Sequence, residues 1–143
     1  MMTKDDRIID AMILLARAVK SHRIVVAGPD SAAILLALQL SGYARIATTK
    51  TLRAPCALND VALVAWPAGS MKDLQATLGH AAGVLSGSGV LVVWMGMRDP
   101  VMNQRLRQAL GRLGFRIESG TGCEKGIAVA ARRLGSIPAE MAA

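Results

Sequence analysis

The chain has 143 residues, enough for one domain with a real core. Hydrophobic residues make up 52% before the 14 glycines are counted, well above the usual share for a soluble domain, so part of the apolar surface is expected to face another subunit. Seventeen Lys and Arg against ten Asp and Glu give a net charge of +7, a balance that suits a basic surface or an acidic partner, while one Tyr, one Phe and two Trp exclude a base-stacking platform.

Thr3 and Asp6 form a capping-box pattern that opens a helix. Ile8, Met12, Leu15 and Val19 recur at helical spacing, with Ile9, Ile13 and Ala16 widening the apolar face. His22 follows as an exposed residue past the helix end. Residues 1–7 lack the pattern of a signal peptide, and no apolar run approaches the length of a membrane span. Cys56 and Cys123 are isolated, with no metal-ligand spacing, and read as free thiols of a cytoplasmic protein.

Arg23-Ile-Val-Val-Ala-Gly28 predicts a first buried strand. Pro29-Asp-Ser31 punctuates the chain, with Asp30 or Ser31 as the cap of a helix over Ala32–Leu40. That helix is apolar on nearly every side and is expected to be buried around most of its circumference. Tyr43–Thr49 predicts a second strand, Lys50–Asp60 a loop, and Val61–Trp66 a third strand stopped by Pro67-Ala-Gly69.

Ser70 and Asp73 make another capping box, and Leu74, Leu78, Ala81 and Leu85 mark the inward face of its helix. Gly89–Met95 is apolar throughout and predicts a central strand. Asp99 caps the next helix with Pro100 at its first position; Leu106, Leu110 and Leu113 face the sheet, and Arg98, Arg105 and Arg112 line a solvent face. Phe115–Ser119 and Gly126–Arg132 then form a hairpin around a Gly-rich turn, followed by a loose tail, Gly135–Ala143. Alternating strands and helices imply a parallel sheet with right-handed crossovers, and the last two strands are too closely spaced to be anything but antiparallel. The expected fold is therefore a three-layer α/β Rossmann-like sandwich, mostly parallel, with a C-terminal antiparallel hairpin.

That plan resembles the class I S-adenosylmethionine-dependent methyltransferase fold over roughly Arg23 to Leu134. Leu85-Ser-Gly-Ser-Gly-Val-Leu-Val-Val93 is similar to that family's signature of leucine, spacer, paired glycines and apolar strand, with Ser88 in place of the first glycine. Asn59-Asp60-Val-Ala-Leu-Val64 is similar to the acidic-led strand that precedes its catalytic loop. The resemblance implies an S-adenosylmethionine site at the carboxyl ends of the strands, with Gly28, Asp30, Trp66 and Gly96 on one rim. Trp66 is there either an apolar pocket wall or a core anchor.

The chain departs from the family where the cofactor would be held. The family's Gly-x-Gly-x-Gly loop is replaced by Val26-Ala-Gly-Pro-Asp-Ser31, with Gly28 alone and Pro29 lacking an N–H. Thr48, Thr49 and Lys50 stand where the family carries an acidic residue for the ribose, and Lys50–Asp60 is too short for the elements that normally intervene. The expected site is shortened and degenerate, holding either S-adenosylmethionine or no cofactor. Asp30 disfavours NAD or FAD, whose pyrophosphate it would repel, and suits an ammonium-bearing cofactor; it also fits as a simple cap.

His80 reads as a surface residue and Cys123 as a turn residue, and no nucleophile triad, Walker loop or HExxH is present. Three readings remain: a methyltransferase-like protein, a non-enzymatic dimerisation or assembly module, and a basic RNA-associated domain suggested by charge alone.

Overall fold

The structure is a computed structural model that describes residues 4–29, 31–48, 59–66, 70–96, 99–123 and 126–133; the side chains of residues 4–7 and 123 are outside that description. Its elements run α1 (Lys4–Ala16), β1 (Ile24–Ala27), α2 (Ser31–Leu40), β2 (Ile46–Thr48), β3 (Asn59–Trp66), α3 (Met71–Gly83), β4 (Leu85–Met95), α4 (Pro100–Arg112), β5 (Phe115–Cys123) and β6 (Gly126–Arg133). The six strands form one sheet in the order β2-β1-β3-β4-β6-β5. β2, β1, β3 and β4 are parallel, and β6 runs antiparallel to both β4 and β5. This is the expected Rossmann-like sandwich with a reversed strand near its end.

The middle strands carry almost continuous apolar runs because both their faces are covered. Val25, Ala62, Val64, Leu91 and Val93 pack against Leu74 and Leu78 of α3 and Leu106 and Leu110 of α4. Ile24, Val26, Leu63 and Val92 face the other way, onto Met12 of α1 and Ile34 and Leu38 of α2. Ser70 Oγ accepts the Asp73 N–H at 3.1 Å, and Asp99 Oδ1 accepts the Val101 N–H at 2.9 Å, so α3 and α4 begin at the predicted caps.

Several expectations are corrected. α1 stops at Ala16, since Arg17 takes a left-handed φ of 54°, and Val19 lies beyond it, exposed. His22 is only half-exposed, and its Nδ1 accepts the Val19 N–H at 3.1 Å. β2 begins only at Ile46, leaving Tyr43 in the preceding turn under Lys20. Leu85 opens β4 instead of finishing α3: it pairs with Asn59, and Ser86–Gly89 bulge out before Val90 resumes the ladder opposite Val61. Leu113 falls at the α4 cap and is partly exposed. β5 continues to Cys123, so the residues expected in a glycine-rich turn belong to the strand.

The largest correction concerns α2. Only Ser31, Ile34 and Leu38 are buried, whereas Leu36 is 56% and Leu40 82% exposed. The helix covers the sheet with a single stripe because it lies over β1 and the edge strand β2, with no layer outside it among the described residues. Arg98, Thr49, Lys50, Cys56 and the tail beyond Arg133 lie outside the described residues.

Candidate functional site

The chain leaves β1 for β2 on one side and reaches β3 on the other, so the topological switch point falls between β1 and β3. Open α/β sheets bind ligands at the carboxyl ends of the strands beside such a point. Gly28 follows the end of β1, Trp66 ends β3 and Gly96 follows β4. Ala27 is in register with Val64 and Trp66 with Met95, and the Gly96 N–H donates to the Trp66 carbonyl at 2.9 Å. Three of the four expected residues thus share one rim, with Gly96 and Trp66 joined directly. Asp30 and Pro67 lie outside the described residues.

The loop after β1 is turned inward on the protein. Gly28 has φ +112°, and a Cβ there would run into the Ala65 carbonyl oxygen of the neighbouring strand. Its own carbonyl accepts the Ser31 N–H at 3.3 Å, closing a turn through Pro29. A helix N-terminus normally presents free N–H groups to an anion. Here Ser31, the first residue of α2, spends its N–H on the loop itself, and Pro29 has none to offer.

The other family-like positions serve the fold. Thr48 is buried at the end of β2. Asp60 lies at the opposite end of the sheet from the rim, where Oδ2 accepts the Arg23 N–H at 2.9 Å, and Asn59 Nδ2 donates to the Val84 carbonyl at 2.8 Å. Gly89 of the Leu85–Val93 signature also sits at that opposite end; a Cβ on it would come within 2.6 Å of Leu85 Cγ.

Trp66 is buried in the core beneath α3 and α4, only 6% exposed, and its indole N–H has no acceptor among the described residues. Trp94, one residue before the end of β4, is equally buried on the α1 and α2 side, and its N–H also lacks an acceptor among the described residues. Unpaired buried donors are uncommon and mark positions where a partner is missing. Two of them lie at one rim, on opposite faces of the sheet. Sequence reasoning missed Trp94 because the apolar run around it resembles plain strand. The signal was a second Trp, which carries a polar handle, placed as Trp66 is near a strand's carboxyl end. Gly126 was missed as well: a Cβ there would strike the Met95 carbonyl and lie 2.7 Å from Trp94 Nε1, so only glycine lets β6 enter beside that indole.

Among the described residues no group of His, Cys, Asp or Glu has the arrangement of a metal site. His80 is exposed on α3, and no described helix is long and apolar enough to cross a membrane.

No family model and no curated protein matches the sequence. Solved structures do match the fold. An S-adenosylmethionine-dependent methyltransferase from Mesorhizobium loti superposes with a TM-score of 0.58 at 14% identity, covering 92% of this chain and 98% of that one. Magnesium protoporphyrin IX methyltransferase from Synechocystis PCC 6803, solved with bound S-adenosylmethionine, gives 0.60 at 12% identity over 88% of this chain and 78% of that one. The [4+2]-cyclase SpnF gives 0.61 at 13% identity over 90% and 81%. A cyclase among these neighbours makes the usual point that a fold does not fix a reaction. By strand order and superposition, the chain has the class I S-adenosylmethionine-dependent methyltransferase fold.

Proposed function

We propose that the protein is a methyltransferase-like domain whose S-adenosylmethionine site is degenerate. The observation that carries this reading is the loop after β1. An open glycine-rich loop offers a cofactor close backbone approach and free N–H groups. Gly28 spends its lack of a side chain on Ala65, Pro29 has no N–H, and the Ser31 N–H turns back to Gly28. Thr48, buried at the end of β2, offers no carboxylate for ribose hydroxyls.

Were the cofactor bound, Gly28, Asp30, Trp66 and Gly96 would line its place, with the Asp30 carboxylate matched to the ammonium of its amino-acid end. Bound S-adenosylmethionine would supply an electrophilic methyl group. The residues of this rim contribute enclosure and two indole donors without an acceptor among the described residues; no general base is assigned. Calorimetry with S-adenosylmethionine and S-adenosylhomocysteine tests the reading: weak binding or none is expected, and tight binding overturns the degeneracy.

A second reading, an assembly module that keeps the fold for its surfaces, is favoured by the apolar outer face of α2. Leu36 and Leu40 lie one turn apart on that face and both are exposed. A cytoplasmic homo-oligomer that buries this face is the form of the protein we propose, whether or not it retains any methyl transfer.

A further inference from the structure

Every helix of the sandwich ends, and every parallel strand begins, at the edge of the sheet opposite the rim. Arg17 and Lys20 follow α1, Arg23 and Arg45 immediately precede β1 and β2, Arg112 closes α4, and Arg116 is the second residue of β5. All six are exposed. None of them makes an ion pair with a described residue.

The described acids of this edge are otherwise engaged. Asp60 accepts the backbone N–H of Arg23, and Glu118 pairs with Arg132 at 3.0 Å. Arg132 also donates to the Ser88 carbonyl at 3.3 Å, which pins the β4 bulge into the same edge. The other acids, among the described side chains Asp10, Asp73 and Asp99, lie within α1 or at the rim-side starts of α3 and α4.

Helix ends explain only part of this row. Cations near a helix C-terminus are favoured by its partial negative charge, which accounts for Arg17 and Arg112. Arg23, Arg45 and Arg116 stand at strand entries, where no such field calls for them. Like charges gathered without ion-pair partners among the described residues repel one another, and an external polyanion removes that penalty.

We propose that this amino-terminal edge of the sheet binds the phosphate backbone of a double-helical nucleic acid. Six strands at their usual spacing make the row about 24 Å long, which matches about seven base steps of 3.4 Å. Base stacking has no means here. Tyr43 lies under Lys20, and Phe115 is buried beneath Arg133. Recognition through phosphates alone suits a duplex better than a single strand, and it carries no sequence preference. The edge is remote from the candidate cofactor rim, so the proposal stands whether or not that rim binds anything.

The test is fluorescence anisotropy with short duplex RNA and duplex DNA of one sequence, titrated with the full chain across salt concentrations. With about four phosphates neutralised, log K should fall against log salt with a slope near −4. Arg45→Glu/Arg116→Glu should weaken binding at least about tenfold, while Arg105→Glu/Arg107→Glu, an equal charge change on the exposed face of α4, should leave it within about twofold. Arg45→Gln/Arg116→Gln, expected to lose less, keeps the comparison open if the Glu pair does not fold by circular dichroism. Binding of one duplex type alone supports the proposal and identifies the source. Equal loss in both charge-reversed pairs overturns it, since net charge alone would then be responsible. Absence of duplex binding at low salt overturns it too, as does binding confined to phosphatidylserine vesicles.

Discussion

Gly28 and Ala65 approach so closely across β1 and β3 that no side chain fits between them: a Cβ on Gly28 would meet the Ala65 carbonyl oxygen. The contact gives this glycine a structural role in the packing of β1 against β3. Gly28→Ala should lower stability by roughly 2 kcal/mol or more, combining left-handed backbone strain with overpacking against a strand that cannot yield. Urea denaturation should show a lower midpoint with an unchanged slope. A variant as stable as the parent would mean that this contact is looser than described.

Trp66 and Trp94 bury indole N–H groups that lack acceptors among the described residues. Removing a buried donor that has no partner relieves a desolvation cost, which offsets the lost packing. Trp66→Phe and Trp94→Phe should each change unfolding free energy by less than about 1.5 kcal/mol, whereas Trp→Ala at either position should cost about 3–5 kcal/mol. Equilibrium unfolding distinguishes the two kinds of substitution. A large loss in either Phe variant would show that the N–H is satisfied after all.

The start of α4 rests on one side chain. Asp99 Oδ1 accepts the Val101 N–H, and Pro100 fixes the first helical residue. Asp99→Ala should cost about 1 kcal/mol, and Asp99→Asn only a few tenths, because asparagine caps equally well. Thermal unfolding of the two variants side by side tests whether the cap, not the charge, carries the effect.

The exposed pair Leu36 and Leu40 gives the assembly reading a direct check. Leu36→Glu/Leu40→Glu places two carboxylates on the outer face of α2 without touching Ile34 or Leu38 beneath it. The parent chain should sediment as an oligomer at micromolar concentration and the variant as a monomer of unchanged secondary structure. A parent that is monomeric at all concentrations removes the proposed interface.

The sheet was legible because its strands announce themselves: Ile24–Ala27, Val61–Trp66 and Val90–Met95 are apolar on both faces, and Ser70 and Asp99 mark helix starts by residue type. The failures share a cause, which is that tertiary neighbours decide them. Leu85 carries helical spacing from Leu78 and Ala81, yet a pairing partner at Asn59 draws it into β4. The face of α2 reads as buried from its composition, but the sheet ends beneath it at β2 and supplies cover on one side only. At the rim, Gly28, Trp66 and Gly96 were foreseeable because topology places strand ends together. The burial of the Trp94 indole and the fit of Gly126 beside it were not, because both depend on an antiparallel partner whose register no local pattern encodes.

Isothermal titration with S-adenosylmethionine, supported by a thermal shift, bears most directly on the claim that the rim has lost its cofactor grip. At a ligand concentration 100 times the dissociation constant, native-state binding adds about 2.7 kcal/mol of stability. The expected result is no resolvable heat and no shift below millimolar ligand. A micromolar dissociation constant accompanied by a clear rise in melting temperature would contradict the account and return the protein to the working methyltransferases.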